Sequence, residues 1–185
     1  MNLSYKKIVN IFYTTFQRYF KKKILCYYSR SKKHSFEEIF PIMKANNLDE
    51  MNGIVLNETF RINAAKRFDL GHRIYYCCDK NNLIAYGWKT GITKSYYSWE
   101  IANKIYFNKP VYLLYDSYVN PVYRRRGIQK SLLHARMNDC EEGSLIAVYA
   151  EPSNTPSIKA ITNCGFKPVG ILTHFSSTIN PPEDI

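Results

Sequence analysis

The stretch YDSYVNPVYRRRGIQKSLLHARM, Tyr115–Met137, decides the fold. Residues 111–119 are rich in Val, Leu and Tyr and predict a β-strand. Asn120-Pro121 then leads to three arginines and Gly127, where a helix begins that we expect to run from about Arg126 to Asn138. Its apolar residues recur at helical spacing: Ile128, Leu132, Leu133 and Met137.

The start of this helix has the chemistry of an anion site. A helix N-terminus presents N–H groups without partners and a partial positive charge. Gly127 lets a ligand approach the backbone closely, and the side chains of Arg124, Arg125 and Arg126 add cations. The sequence therefore predicts a site for a pyrophosphate. The competing interpretation is a solvated arginine cluster before an ordinary helix, because short glycine motifs often match by chance.

The rest of the chain alternates strands and helices. Strands are predicted at residues 24–29, 73–79, 83–89, 144–150 and 166–175, and helices at residues 35–46, 58–69 and 153–164. Residues 91–110 are ambiguous between a strand and a short helix. The order β-α-α-β-β-β-α-β-α-β predicts an α/β (α+β) protein with a mixed sheet covered by helices.

Composition favours one domain with reduced thiols. A chain of 185 residues is long enough to bury a core without disulfides. Its five cysteines are odd in number and include no Cys-x-x-Cys pair, which favours a cytoplasmic protein. The four histidines are scattered without ligand spacing, so no metal site is predicted.

The positive charge is concentrated at the N-terminus. Residues 1–33 carry nine basic side chains and no acidic one, which accounts for nine of the eleven net charges. Residues 1–23 also repeat apolar side chains every three to four positions and predict a basic amphipathic helix. Such a helix binds the cytoplasmic face of an anionic membrane, or it packs on the domain or on a second subunit. A nucleic-acid partner is not favoured, since the remaining chain is nearly neutral.

Two motifs resemble the GNAT superfamily of acyl-CoA N-acyltransferases. VNPVYRRRGIQKSLL (residues 119–133) is similar to its acetyl-CoA-binding motif, and SNTPSIKAITNCGF (residues 153–166) is similar to its second motif. The resemblance covers residues 24–175 in the family's order. It implies a GNAT-like mixed central sheet flanked by helices. Outside this range, the residue pattern predicts residues 1–23 as a helical extension, and the polar, proline-containing composition predicts residues 176–185 as a tail.

The resemblance also implies roles for individual residues. The strand backbone at Tyr118 and Val119 would face the pantetheine and the thioester, while Asn154 and Ser157 would contact the pantetheine near the sulfur. N–H groups from Arg125 to Lys130 would bind the pyrophosphate. The implied binding residues for acetyl-CoA, the cosubstrate, are Tyr118, Val119, Arg124, Arg125, Arg126, Gly127, Ile128, Gln129, Lys130, Asn154 and Ser157.

Two positions depart from the family pattern. Gln129 stands where glycine or alanine is usual, and it fits only if its side chain points away from the phosphates. Ile161 stands where many relatives carry the tyrosine that protonates the leaving thiolate. The acid is then Ser157 or an unidentified tyrosine, or the thiolate leaves unassisted.

Asp116 is the carboxylate on the strand expected to line the acceptor side. It would accept the proton of the attacking amine, directly or through water. The alternative is a structural role in holding a loop N–H group.

The implied reaction moves an acetyl group from acetyl-CoA to an amine or a hydroxyl by direct attack in a ternary complex. No Cys/His pairing in the sequence supports a covalent intermediate. The acceptor would be a small molecule, such as an amino sugar or a lipid-linked sugar of a surface-carbohydrate pathway. The competing hypothesis is a non-catalytic acyl-CoA-binding module, and a monomer and a homodimer are both compatible with the sequence.

Overall fold

A computed structural model describes residues 23–31, 40–98, 101 and 103–179, which form two β-sheets and three α-helices. The strands are β1 Lys23–Arg30, β2 Met43–Ala45, β3 Arg73–Asp79, β4 Asn82–Ile92, β5 Ser95–Ser98, β6 Asn103–Phe107, β7 Val111–Val119, β8 Leu145–Ala150, β9 Lys167–Thr173 and β10 Thr178–Ile179. The helices are α1 Glu58–Asp69, α2 Ile128–Asn138 and α3 Thr155–Asn163, with short 3-10 turns at Asp49–Met51 and Pro121–Tyr123.

The main sheet has seven strands in the order β2-β3-β4-β7-β8-β1-β9. Its strands are antiparallel except for β7 and β8, which run parallel at the centre. Strands β10, β6 and β5 form a smaller second sheet. The mixed sheet predicted from the sequence is therefore present.

The helices cover both faces of the main sheet. A hydrophobic core lies on each face of the sheet. Neighbouring residues of β7 belong to different cores, because successive side chains of a strand point to opposite faces. Leu113 belongs to the buried cluster that contains Ala64 of α1, whereas Leu114 belongs to the cluster that contains Leu133 of α2 and Ile161 of α3. Helix α1 thus lies on one face, and helices α2 and α3 lie on the other.

The helix predicted over residues 35–46 is wrong at its C-terminal end. Met43–Ala45 form β2, which pairs antiparallel with Ile74–Tyr76 of β3. Pro41 explains the difference, since proline inside a helix removes a hydrogen bond and clashes with the preceding turn. Residues 35–39 of this prediction lie outside the described residues.

Other boundaries differ from the predictions by a few residues. The ambiguous segment 91–110 contains the end of β4 and the strands β5 and β6. Thr178 and Ile179 of the expected polar tail pair in parallel with Tyr106 and Phe107 of β6. The predicted amphipathic helix lies outside the described residues, except for Lys23, which begins β1.

All five cysteines are free, and four of them are buried, namely Cys26, Cys77, Cys140 and Cys164. The burial of these four thiols agrees with the interpretation of the cysteines as buried thiols rather than as parts of a disulfide framework. Burial raises the pKa of Cys26 to about 12 and that of Cys77 to about 11, so both thiols stay protonated at neutral pH.

Candidate active site

The two central parallel strands separate near the middle of the sheet. β7 pairs with β8 from Tyr112 to Leu114, and no strand of the described residues pairs with the last residues of β7 on that side. A β-bulge marks the separation, because Asp116 and Ser117 together stand opposite Gly87 of β4. Asp116 has a φ of 44°, a left-handed conformation that is strained for a residue with a side chain.

A cavity of about 650 Å³ lies beyond this separation, between the end of β7, the first turn of α2 and helix α3. It brings together ten of the eleven residues implied as acyl-CoA ligands. They are Tyr118, Val119, Arg124, Arg125, Gly127, Ile128, Gln129, Lys130, Asn154 and Ser157. The cavity also includes five residues that the sequence analysis did not select: Ser117, Tyr123, Pro156, Ala160 and Asn163.

The start of α2 supplies a cradle of N–H groups at this cavity. Gly127 is the N-cap residue with a φ of 79°, and Arg125 also has a positive φ of 63°. This left-handed backbone explains why the helix begins at Ile128, two residues later than predicted. The N–H groups of residues 127–130 donate to no other residue that the structure describes. They and the nearby cations therefore fit the phosphate groups of a coenzyme A moiety.

The three arginines of the motif do not act alike. Arg125 lines the cavity, while Arg124 lines it and donates from Nε to the Val119 carbonyl at 3.0 Å. Arg126 is absent from the lining, and its guanidinium lies 5.3 Å from the ring centroid of Tyr123. The Tyr123 hydroxyl in turn donates to Asp79 at 2.5 Å. Arg126 is thus the one residue of the predicted cofactor-binding set that does not line the cavity.

Asn154 and Ser157 stand together at the start of α3. The Asn154 side chain accepts a hydrogen bond from the Ser157 N–H at 3.2 Å and caps the helix. Pro156 occupies the second helical position, where its missing N–H does not matter. Capping therefore uses the Asn154 oxygen and leaves its amide N–H groups and the Ser157 hydroxyl at the cavity.

Asp116 lies outside the cavity lining and forms an ion pair with Arg67 of α1. Asp116 Oδ2 and Arg67 Nη1 are 2.5 Å apart, and the two side chains are 38% and 28% exposed. The Arg67 guanidinium also lies over the rings of Trp88 and Tyr115, at 4.8 and 5.3 Å. The sequence analysis missed Arg67, because nothing in the spacing of α1 relates it to β7.

Aromatic side chains continue along the α1 face beside this ion pair. Tyr118 is 40% exposed and stacks on Tyr86, with ring centroids 5.6 Å apart. Tyr86 in turn meets Phe60 of α1 edge to face at 5.2 Å. The cavity is thus bordered on the α1 side by an exposed aromatic surface and a charged pair.

Neither Ile161 nor Cys164 supplies a reactive group at the cavity. Ile161 is 1% exposed in the core between α3 and β8, so its position offers no acid. The structure does bring Cys164 Sγ within 3.7 Å of His134 Nε2, a pairing that was not visible in the sequence. Burial raises the pKa of the Cys164 thiol to about 11, which keeps it protonated and unreactive at neutral pH.

Within the described ranges, no three His, Cys, Asp or Glu side chains are grouped so that they could hold a metal ion. In the same part of the chain, no helix combines the length and the hydropathy needed to cross a bilayer.

Comparison with known proteins gives one family. Residues 36–166 match the sequence model of the Acetyltransferase (GNAT) family, which is more than half of the chain. No curated protein sequence matches the chain.

Two solved structures show the same fold at low sequence identity. A Novosphingobium aromaticivorans protein assigned to the GNAT acetyltransferases is 14% identical with a TM-score of 0.54; the match covers 81% of this chain and 61% of that protein. A conserved Staphylococcus epidermidis protein of unknown function is 9% identical with a TM-score of 0.56, over 92% of this chain and 66% of that protein. The chain therefore spans less than two thirds of the length of either.

Proposed function

The chain belongs to the acetyltransferase (GNAT) family, and we propose that it transfers an acetyl group from acetyl-CoA to an amine of a small molecule. The observation that carries this proposal is the cavity between β7, α2 and α3. One end of it holds the N–H groups of residues 127–130, with Arg124, Arg125 and Lys130 beside them. The other end is bounded by Ser117–Val119, which pair on the β8 side with no strand that the structure describes.

This arrangement suits the two halves of acetyl-CoA. Phosphate oxygens accept hydrogen bonds from the helix N-terminus and attract the arginines. The pantetheine arm carries amide groups, which can pair with the unpaired side of β7 and with the side chains of Asn154 and Ser157. Bound in this way, acetyl-CoA presents its thioester beside the bulge at Ser117.

The reaction then needs a proton acceptor and a proton donor. The amine nitrogen of the acetyl-accepting substrate uses its lone pair to form a bond with the acetyl carbonyl carbon, and the carbon–sulfur bond breaks. The sulfur leaves with the bonding electron pair as a thiolate. The proton lost by the nitrogen goes to a base, and the thiolate takes a proton from an acid or from water.

We assign the base role to Asp116. Its Oδ2 accepts from Arg67, while its Oδ1 accepts no hydrogen bond from any residue that the structure describes. The second oxygen is therefore available to take the proton, directly or through one water. Arg67 fixes the carboxylate and compensates its charge before the acceptor arrives.

The acid is Ser157 or a tyrosine of the cavity. Tyr118 and Tyr123 both line the cavity, but the Tyr123 hydroxyl already donates to Asp79. Tyr118 is partly exposed and is therefore the tyrosine that we propose beside Ser157.

We infer an amino sugar as the acceptor class. The stacked rings of Tyr118 and Tyr86 offer a flat apolar surface for a sugar ring, and Asp116 offers a carboxylate for its ammonium group. The basic residues 1–33 are consistent with an acceptor presented at an anionic membrane, such as a lipid-linked sugar.

The test combines binding and turnover. We expect acetyl-CoA to bind in calorimetry, and coenzyme A to be released when amino sugars and simple primary amines are added. Hydroxyl analogues of the same sugars should give much slower release. Tight binding without release for any acceptor would favour a non-catalytic acyl-CoA-binding module, and no binding at all would overturn the proposed function.

A further inference from the structure

Arg136 of α2 is a fully buried arginine directly behind the bulge of β7. Its Nε donates to the Leu132 carbonyl at 2.9 Å, and its Nη1 donates to the Trp88 carbonyl at 3.2 Å. Its Nη2 donates to the Ser117 hydroxyl oxygen at 2.9 Å. All three acceptors are neutral, and no carboxylate of the described residues forms an ion pair with Arg136.

Burying an arginine in this way reduces the stability of the folded state. A buried charge without a counter-charge loses hydration that neutral hydrogen bonds only partly replace. Burial lowers the pKa of Arg136 to about 10, so the side chain still carries its charge at neutral pH. An apolar side chain of the same length would fill this space without that cost.

The neighbouring strand is shaped around the guanidinium. A Cβ atom added to Gly87 would lie 2.6 Å from Arg136 Cζ, so the absence of a side chain at Gly87 is what makes room for the charge. Gly87 is also the residue opposite the bulge formed by Asp116 and Ser117. Gly87, the bulge of β7 and the guanidinium of Arg136 therefore form one packed unit beside the cavity.

Ser117 connects this unit to the cavity. It lines the cavity, and its hydroxyl oxygen accepts from Arg136. The hydroxyl proton consequently points away from the guanidinium and has no acceptor among the described residues. It is placed to donate to a group inside the cavity.

We propose that Arg136 is a positioning residue that stabilises the negative charge formed on the thioester oxygen and then on the leaving sulfur. It acts through the Ser117 hydroxyl and through its own field, and the anion formed in the reaction supplies the missing counter-charge. This inference rests on the proposed function, because it requires acetyl-CoA in the cavity. No new covalent step is involved: the carbon–sulfur electron pair leaves on sulfur, and Arg136 keeps its protons.

The coenzyme A thiol provides a test that needs no acceptor. If Arg136 favours the thiolate, coenzyme A should bind more tightly as the pH rises from about 7 to about 9, the range in which thiols titrate. Acetyl-CoA has no thiol and serves as the reference at each pH. We expect the ratio of the two dissociation constants, measured by calorimetry on the full chain, to change by roughly tenfold, which corresponds to one pKa unit.

The pH dependence of this ratio should disappear in Arg136→Met. It should persist at least partly in Arg136→Lys, which keeps a cation. Ser117→Ala should reduce it, and Met137→Leu, a volume-conserving change at the next buried position of α2, should leave it intact. If Arg136→Met does not fold, the wild-type ratio and Ser117→Ala still decide the matter.

The outcomes separate the two hypotheses. A ratio that does not vary with pH in the wild type, or one that varies equally in Arg136→Met, overturns the role of Arg136 while acetyl-CoA binding is retained. Failure of the wild type to bind acetyl-CoA overturns the proposed function itself, and the inference falls with it.

Discussion

Arg67 Nη1 lies 2.5 Å from Asp116 Oδ2, so one ion pair ties helix α1 to the bulge of the central strand β7. The contact joins residues that are 49 positions apart in the sequence. It holds Asp116 at a backbone conformation that costs about 1–3 kcal/mol for a residue with a side chain. A carboxylate on a strained backbone position, held by an arginine near the proposed acetyl-CoA cavity, supports Asp116 as the base.

Asp116→Asn should therefore lower kcat by about a hundredfold or more, because it removes the base. It also removes the charge that pairs with Arg67, but acetyl-CoA affinity should stay nearly unchanged, since Asp116 lies outside the cavity lining. Coenzyme A release and calorimetry measure the two quantities. Asp69→Asn is the matched control, since Asp69 is an exposed carboxylate at the end of α1. A wild-type rate and pH profile in Asp116→Asn would instead assign Asp116 to structure.

Gly127→Val should abolish acetyl-CoA binding. The substitution places a branched side chain where the phosphates approach, and it also strains a backbone with a φ of 79°. Gly143→Val is the control for strain, because Gly143 has a φ of 77° and open space around its Cβ position in the loop after α2. Both variants should lose about 1–3 kcal/mol of stability by denaturant unfolding.

Calorimetry then separates the two effects in these variants. Only the Gly127 variant should lose affinity for acetyl-CoA. Equal affinities in the two variants would mean that the cradle at α2 does not bind the phosphates.

Asp139 should make the free energy of unfolding depend on pH in the acidic range. At the end of α2 it accepts from the buried Lys89, from the Tyr75 hydroxyl and from Lys44. Burial alone would raise the pKa of Asp139, but these hydrogen bonds and the charge of Lys89 hold it well below its usual range. The resulting stability is present above about pH 4, where the unfolded carboxyl is ionised, and is lost as the pH falls toward the lowered folded-state pKa.

Asp139→Asn should accordingly cost about 3 kcal/mol at neutral pH, because it leaves Lys89 buried without a counter-charge. Denaturant unfolding across pH should show the two proteins converging below about pH 4. A constant difference at all pH values would show that Asp139 acts by its shape and not by its charge.

Local patterns predicted the elements around the cavity. The alternation of β7, the apolar spacing of α2 and the Asn154 cap of α3 are each set by a few neighbouring residues, and the structure has them within two positions. Met43–Ala45 were assigned wrongly, because pairing with β3 and the nearby Pro41 outweigh the helical pattern.

The partners across the sheet could not be predicted in this way. Arg67 reaches Asp116 from another helix, and no spacing in the sequence encodes that contact. Arg136 is different, since it lies four residues after the buried Leu132 and on the same helical face. A cation at a buried position of a predicted amphipathic helix is a pattern that sequence analysis can use.

The basic N-terminal segment yields the last prediction. Residues 1–33 carry nine cations and no anions, whereas the remaining chain is nearly balanced, so attraction to anionic lipid would act through this segment. Replacing Lys6, Lys7, Lys21 and Lys22 by glutamine should weaken sedimentation of the full chain with vesicles containing anionic lipid. Acetyl-CoA affinity should not change, because the cavity is built from residues 117–163.

A matched variant separates position from total charge. A second variant with glutamine at Lys66, Lys80, Lys94 and Lys104 also loses four positive charges, but from exposed positions of the folded domain. This variant should still bind the vesicles. Salt should weaken the binding of the wild type, because the Debye length falls from about 10 Å at 0.1 M to about 3 Å at 1 M. Equal losses in the two variants would make the attraction a property of net charge. No sedimentation of the wild type at low salt would leave the segment as an element that packs on the domain or on a second subunit.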